Sequence, residues 1–256
     1  MRHLVIPPFA EETAKATSKR LDELAKVPGS LGKLEELAVR LAGITDKECP
    51  AFPDKAVVLF AADHDIALHG VSATGQDVTE KQVRNFVKGG GTINAFCRNA
   101  GARFTVVDVG VKGDLDDVDG LIRRKVMHSA HDFSQGPAMT REEAEACVQV
   151  GIDMAREEAR RGASLLAAGE MGIGNTSPSS AITAVYTGAS VEEVTGVGSG
   201  ISSERVRHKA ELIRQGIEIN RPDPSDPLDV LAKVGGPELG AMCGLMLGGA
   251  SLRIPV

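Results

Sequence analysis

Tryptophan is absent from these 256 residues, tyrosine occurs once and phenylalanine seven times. Base-stacking platforms of the single-strand-binding kind therefore have little to be built from. Lysine and arginine form no cluster and the formal net charge is -6, which argues against a nucleic-acid surface and its basic patch. No apolar stretch approaches membrane-spanning length, and the apolar patch in MRHLVIPPFAEETAK is too short and too proline-broken for a signal peptide. Cysteine is sparse: Cys49, Cys97, Cys147 and Cys243 lie far apart and form no C-x-x-C pair. Three of them fall in apolar helical patterns, and the set reads as reduced core thiols. Internal repeats and low-complexity tracts are missing too. What remains is a cytoplasmic enzyme whose ligands are small, with no nucleic acid and no membrane as partners.

The length and the 42% hydrophobic content allow one large buried core. Leucines at 21, 24, 31, 34, 37 and 41 follow a helical period interrupted at Pro28-Gly29-Ser30, so two helices joined by a turn are expected there. Composition shifts around 47–53, which divides a small helical N-terminal segment (1–50) from an α/β unit (51–256). The run AVVLFAA (56–62) is apolar without alternation, the mark of a strand covered on both faces in a parallel sheet. A helix over 78–100 carries an apolar stripe that Gly89-Gly90-Gly91 should bend or break, and RFTVVDVGV (103–111) is the next strand, completing a βαβ unit. An irregular stretch then runs to Pro137, and Thr140 with Glu143 predicts a capping box for a helix reaching Arg161. The fold class expected is α/β: a Rossmann-like, open, mostly parallel sheet with helices on both faces, plus the small N-terminal helical subdomain.

Residues 164–187 carry the chemistry. A short apolar strand (164–168) runs into Gly169, Gly172 and Gly174, and then into an alanine-rich helical segment that Asn175, Thr176 and Ser177 can cap. Free amides at such a helix start bind anions. Counted from Gly169 the spacing is G-x-x-x-x-G-x-T, but Asn175 stands where a Walker A loop needs lysine. A magnesium-triphosphate site is therefore disfavoured, and main-chain dipoles suit a single phosphate of a mononucleotide or sugar phosphate. Glu170 is unexpected beside an anion. It either binds ribose hydroxyls or handles a proton near the anomeric carbon, or it merely complements a helix dipole.

GVGSG (196–200) is a second glycine turn, and Ser202 or Ser203 starts a helix that carries Lys209, a phosphate partner or a solvated helix lysine. Asp63 and His64 leave the first strand together with Asp65 and His69. Pocket lining suits Asp63 and His64 better than metal ligation, because no fourth ligand group is evident. The polar segment 70–82 follows directly and is either substrate-contacting or an ordinary connecting loop. In an open α/β sheet, Asp63-His64, Asp108 and the 169–176 loop should meet beyond the strand ends.

Five segments together carry a resemblance: GEMGIGNTSP (169–178), GVGSGISSERVRHK (196–209), PGSLGKLEELA (28–38), AADH followed by GVS (61–72) and DVLAKVGG (229–236). In order and content they resemble the nicotinate-nucleotide:dimethylbenzimidazole phosphoribosyltransferase family, from about residue 15 to the last residue. The resemblance implies a glycosyltransferase that moves 5-phosphoribose from nicotinate mononucleotide to a benzimidazole nitrogen with inversion. The product would be α-ribazole phosphate for the cobalamin lower ligand, made by a homodimer that needs no cofactor and no metal. It implies Glu170 and Lys209 as catalytic residues, and phosphate and ribose contacts from Gly172, Gly174, Asn175, Thr176, Gly198, Ser199 and Gly200. Base contacts would come from Asp63, His64, Thr74 and Gln82. Family members continue beyond Val256, and the glutamate regarded as their principal base lies in that further segment. A C-terminally truncated member is expected on this reading, with catalysis reduced or lost, or a noncatalytic or partner-dependent nucleotide-binding subunit. Asp65 replaces a usual glycine and Pro237 a usual aromatic.

Overall fold

Residues 4–256 are described by a computed structural model in which helices and parallel strands alternate along most of the chain. The leucine-spaced N-terminal segment forms α1 (Glu11–Glu23) and α2 (Lys33–Thr45), parted where Pro28 lacks an amide donor and Gly29 and Gly32 take positive φ. β1 (Lys55–Ala62) runs into a short 3-10 turn (Asp65–His69), followed by α3 (Asp77–Val87), α4 (Thr92–Ala100) and β2 (Ala102–Gly110). Of the bend or break expected at Gly89–Gly91, the chain takes the break: Gly89 adopts a φ of 83° and Asn94 Oδ1 accepts the Gly91 amide at 2.9 Å. β3 (Ile122–Arg123) is two residues long, and α5 (Arg141–Arg160) begins at the expected Thr140–Glu143 capping box. Then come β4 (Leu165–Met171), α6 (Thr176–Thr187), α7 (Val191–Val194), α8 (Ser203–Asn220), α9 (Pro227–Val234) and α10 (Pro237–Ser251).

The sheet is parallel throughout, in the order β3-β2-β1-β4. β1 is covered on both faces, as its unbroken apolar run requires. On one face Val58, Phe60 and Ala62 meet Met154 and Ala155 of α5 and Ala241 and Leu245 of α10; on the other, Leu59 and Ala61 meet Val83 of α3 and Ile93 of α4. A third cluster joins Ile66, Phe133, Ala181 of α6, Ile213 of α8 and Val230 of α9 beyond the sheet's edge. β4 extends past the expected 164–168 because Gly169, Glu170 and Met171 pair in register with Leu59, Phe60 and Ala61. Glu170 thus stands at a strand end and not in the first turn of a helix.

α5 and α10 approach through glycines: a Cβ on Gly244 would strike the Val148 carbonyl, and one on Gly248 would lie 2.6 Å from the Ala155 Cβ. Pro237 occupies the first turn of α10, where its missing amide costs nothing. The reading of four core thiols needs correction. Cys97 and Cys147 are buried, but Cys49 and Cys243 are exposed, since α10 is apolar on every side and Cys243 falls on its outer one. Among the described residues no helix is long and apolar enough to cross a membrane.

Candidate functional site

The ends of β1 and β4, the start of α6 and the 196–200 turn come together at one edge of the sheet. Glycine is required at two points of the 169–176 loop: a Cβ on Gly172 would collide with the Ala62 carbonyl, and Gly174 has a φ of 94° with Ala67 packed against it. The buried Thr79 hydroxyl accepts the Ile173 amide at 3.1 Å and fixes the loop's middle. Among the described residues, the amides of Gly174 and Thr176 meet no protein acceptor. Two unpaired donors therefore mark the N-terminus of a 12-residue helix, where the helix dipole favours an anion.

Lys209 of α8 reaches the same spot. Its side chain is fully buried, and Nζ donates to Thr176 Oγ1 at 2.5 Å. Gly198 of the second glycine turn, with a φ of 51°, packs closely against this pair: a Cβ there would sit only 3.1 Å from Thr176 Oγ1 and 3.4 Å from the Lys209 Nζ. Burial pushes the Lys209 pKa down to about 8. Among the described residues no carboxylate pairs with it, so its charge is left for an anionic ligand.

Glu170 lies on the sheet face that looks toward α10. The residue is exposed, and its carboxylate accepts the Asn175 side-chain amide. Burial pushes its pKa above the ordinary glutamate value; a hydrogen bond from the Asn175 side-chain amide and the charge of His64 oppose this, and Glu238 adds to it. Asn175, expected as a helix cap, spends its side chain on Glu170 and makes no cap. Thr176 likewise turns its hydroxyl to Lys209. Beside Glu170 opens a cleft of about 580 Å3 whose walls include Val78, Gln82, Phe86, Met171 and Ile173. Its apolar walls, with the side-chain amides of Gln82 and Asn85 among them, suit a planar aromatic ring that carries hydrogen-bonding atoms. A slightly larger cavity of about 630 Å3 between α1 and α2 lies elsewhere and brings no group of this site with it.

Not every expected residue reaches the cleft. Gln82 lines it, whereas Thr74 is exposed on the 70–76 loop and is no part of its wall. His64 is fully buried, its Nε2 2.9 Å from Glu238 Oε1 of α10. Burial alone would lower the His64 pKa, but the charge and hydrogen bond of Glu238, followed by Asp63 and Glu170, hold it above the usual histidine value. Asp63 is equally buried and accepts the Lys112 amide at 2.9 Å; burial raises its pKa. Asp65 receives Ser129 Oγ at 2.8 Å, Lys112 Nζ at 3.1 Å and Gln76 Nε2 at 3.2 Å, so the carboxylate that stands for a glycine ties three segments together. His69 turns to Asp132 at 2.7 Å. The four groups that leave β1 thus diverge, and among the described residues no three such side chains are placed to hold a metal. Asp108 closes the end of β2 by accepting the amides of Gly110 and Val111.

Gly198, Ser199 and Gly200 form an exposed turn, with Ser199 Oγ 3.0 Å from Ser72 Oγ and accepting the Ala73 amide at 2.9 Å. Thr79, Glu238 and Arg205 take part in this region without having been singled out. Arg205 alone left a signal, being one helical turn before Lys209.

A family model described as Phosphoribosyltransferase matches residues 6–256. The nicotinate-nucleotide–dimethylbenzimidazole phosphoribosyltransferase of Geobacter sp. (strain M21) is 49% identical over 251 residues, which cover 98% of this chain and 72% of that protein. Its counterpart from Chloroflexus aggregans (strain MD-66 / DSM 9485) is 47% identical over 251 residues, covering 98% and 71%. The crystal structure of CobT from Thermus thermophilus superposes with a TM-score of 0.90 at 43% identity, covering 95% of this chain and 73% of that one. Similarity of this extent, in sequence and in fold, establishes that the chain belongs to this phosphoribosyltransferase family.

Proposed function

We propose that the protein is a glycosyltransferase that moves 5-phosphoribose from nicotinate mononucleotide to 5,6-dimethylbenzimidazole or a similar base, giving α-ribazole phosphate for the cobalamin lower ligand. The observation that carries this reading is Lys209, a buried cation without a carboxylate, set against Thr176 and Gly198 at the open start of α6. The 5-phosphate binds there, on the Gly174 and Thr176 amides and on Lys209, with Gly172 and Asn175 shaping the loop and Gly198, Ser199 and Gly200 closing over the ribose. The acceptor ring enters the neighbouring cleft beside Gln82. Asp63, His64 and Thr74 support the site from outside that cleft.

In the transfer, the bond between C1′ and the nicotinate nitrogen breaks and its electron pair neutralises the pyridinium. A benzimidazole nitrogen attacks the opposite face of C1′, and the proton on the other ring nitrogen must leave. Glu170 ends β4, bonded to Asn175 of the phosphate loop and bordering the cleft, and the burial that raises its pKa makes it a stronger base than an ordinary glutamate for accepting this proton. We further propose a small helical subdomain at 1–50 beside the 51–256 unit, a homodimer, and a cytoplasmic location. Light scattering reads the dimer, and cell fractionation the location.

Incubation with nicotinate mononucleotide and 5,6-dimethylbenzimidazole should yield α-ribazole phosphate by mass spectrometry. Glu170→Gln should retain mononucleotide binding and lose about 10²–10⁴-fold in transfer rate. Tight mononucleotide binding with no product would leave a binding subunit only, and no binding at all would sink the proposal.

A further inference from the structure

Arg205 sits half-buried in the first turn of α8. Its Nε donates to the Gly70 carbonyl at 2.8 Å and its Nη2 donates to the Ser72 carbonyl. Three residues on, Nε2 of His208 donates to the His69 carbonyl at 3.1 Å, and one residue further Lys209 reaches Thr176. Two turns of one helix thus hold the carbonyls of segment 69–72 with one set of side chains and touch the start of α6 with another. The held segment in turn grips the 196–200 turn, because Ser72 Oγ lies 3.0 Å from Ser199 Oγ and the Ala73 amide donates to that same oxygen at 2.9 Å. Gly70 takes a φ of 74°, and its backbone passes close enough that a Cβ would lie 3.6 Å from Arg205 Nη2.

The 196–200 turn is exposed, and so are Ala73 and Thr74 of the facing loop; exposed glycine-containing loops of this kind ordinarily move independently. Here a charged fork bridges two carbonyls of one loop, and that loop's hydroxyl and amide meet the serine of the other. We infer that Arg205 is a positioning residue: by clamping Gly70 and Ser72 it fixes the 196–200 turn, and so holds the Gly198 backbone against Thr176 and Lys209 at the corner that receives the phosphoribosyl group. The inference rests on the phosphoribosyl reading of that corner. Arg205 need not touch the ligand. Its effect is the reduced conformational freedom of two loops before binding, which would otherwise be lost on binding at the expense of affinity.

Isothermal titration with nicotinate mononucleotide, alongside hydrogen exchange at the Ala73 amide, tests this on the chain as it stands. Arg205→Gln should weaken mononucleotide binding about tenfold, the loss of roughly one charge-assisted hydrogen bond. Arg205→Lys, which keeps one donor direction, should recover part of it. Ser72→Ala, a small change that folding tolerates, should weaken binding about threefold. The Ala73 amide should exchange faster in each weakened variant, while 5,6-dimethylbenzimidazole binding in the Gln82 cleft stays within about twofold, which general loosening of the fold would not allow. Unchanged mononucleotide affinity in Arg205→Gln, or in Ser72→Ala should the arginine variant fail to fold, overturns the positioning role alone. A wild-type chain that binds no mononucleotide overturns the reading of the corner itself, and this role with it.

Discussion

Lys209 is held at the expense of stability. A lysine pKa drawn from 10.5 to about 8 corresponds to about 3 kcal/mol of disfavoured charge below pH 8. Below that pH the lysine is protonated in both folded and unfolded chains, so the penalty is fully present. As pH rises through about 8 the folded lysine loses its proton while the unfolded one keeps it to 10.5, and stability rises across that window. Lys209→Met should therefore raise the ligand-free melting temperature at pH 7 and flatten the pH dependence. It should also weaken mononucleotide binding by about a hundredfold, the worth of a charge-assisted phosphate contact. Wild-type affinity should fall above about pH 8, where the free protein carries less charge at this corner. A melting temperature unchanged by the substitution would contradict the claim of an uncompensated charge. The sequence could not decide between a phosphate partner and a solvated helix lysine, because only α8's placement against α6 buries this side chain. His64 shows the same limit: the motif places it at a strand end, but its direction depends on Glu238, 174 residues away.

At the scale of elements, the sheet rests on α10 pressing into α5 through glycine. Gly244→Ala should destabilise the protein by about 1–3 kcal/mol in urea melts, since the new methyl meets the Val148 carbonyl, main chain that cannot swing aside. Unchanged stability would mean that the two helices tolerate separation. β1, the split at Gly89–Gly91 and the Thr140 cap were legible in sequence because each depends on local rules: an apolar run, a glycine triplet and a capping pair. The true end of β4 was not. Gly169 and Glu170 look like turn residues until the neighbouring strand pairs with them, and that pairing decides which face the carboxylate takes.

For the molecule as a whole, burial is unevenly shared. β1, α5 and α10 form the closed centre, whereas α1 and α2 pack chiefly on each other and keep Leu34 and Leu37 exposed, with Arg253 donating to the Pro8 and Ile44 carbonyls as a tether. Amides of α1 and α2 should therefore exchange well before those of β1 and α5 in native-state hydrogen exchange, and equal protection would refute a separable helical segment. The sequence by itself determined the class of fold, the family and the glycine loop, because apolar period, glycine spacing and motif order are local and survive without coordinates. The tertiary structure alone decided that Lys209 is buried beside Thr176 with no carboxylate to pair with, that Asn175 serves Glu170 and makes no helix cap, that His64 faces Glu238 and that Arg205 bonds the Gly70 and Ser72 carbonyls. Each of these depends on which distant side chain lies opposite, and no residue's own neighbours in the chain carry that information.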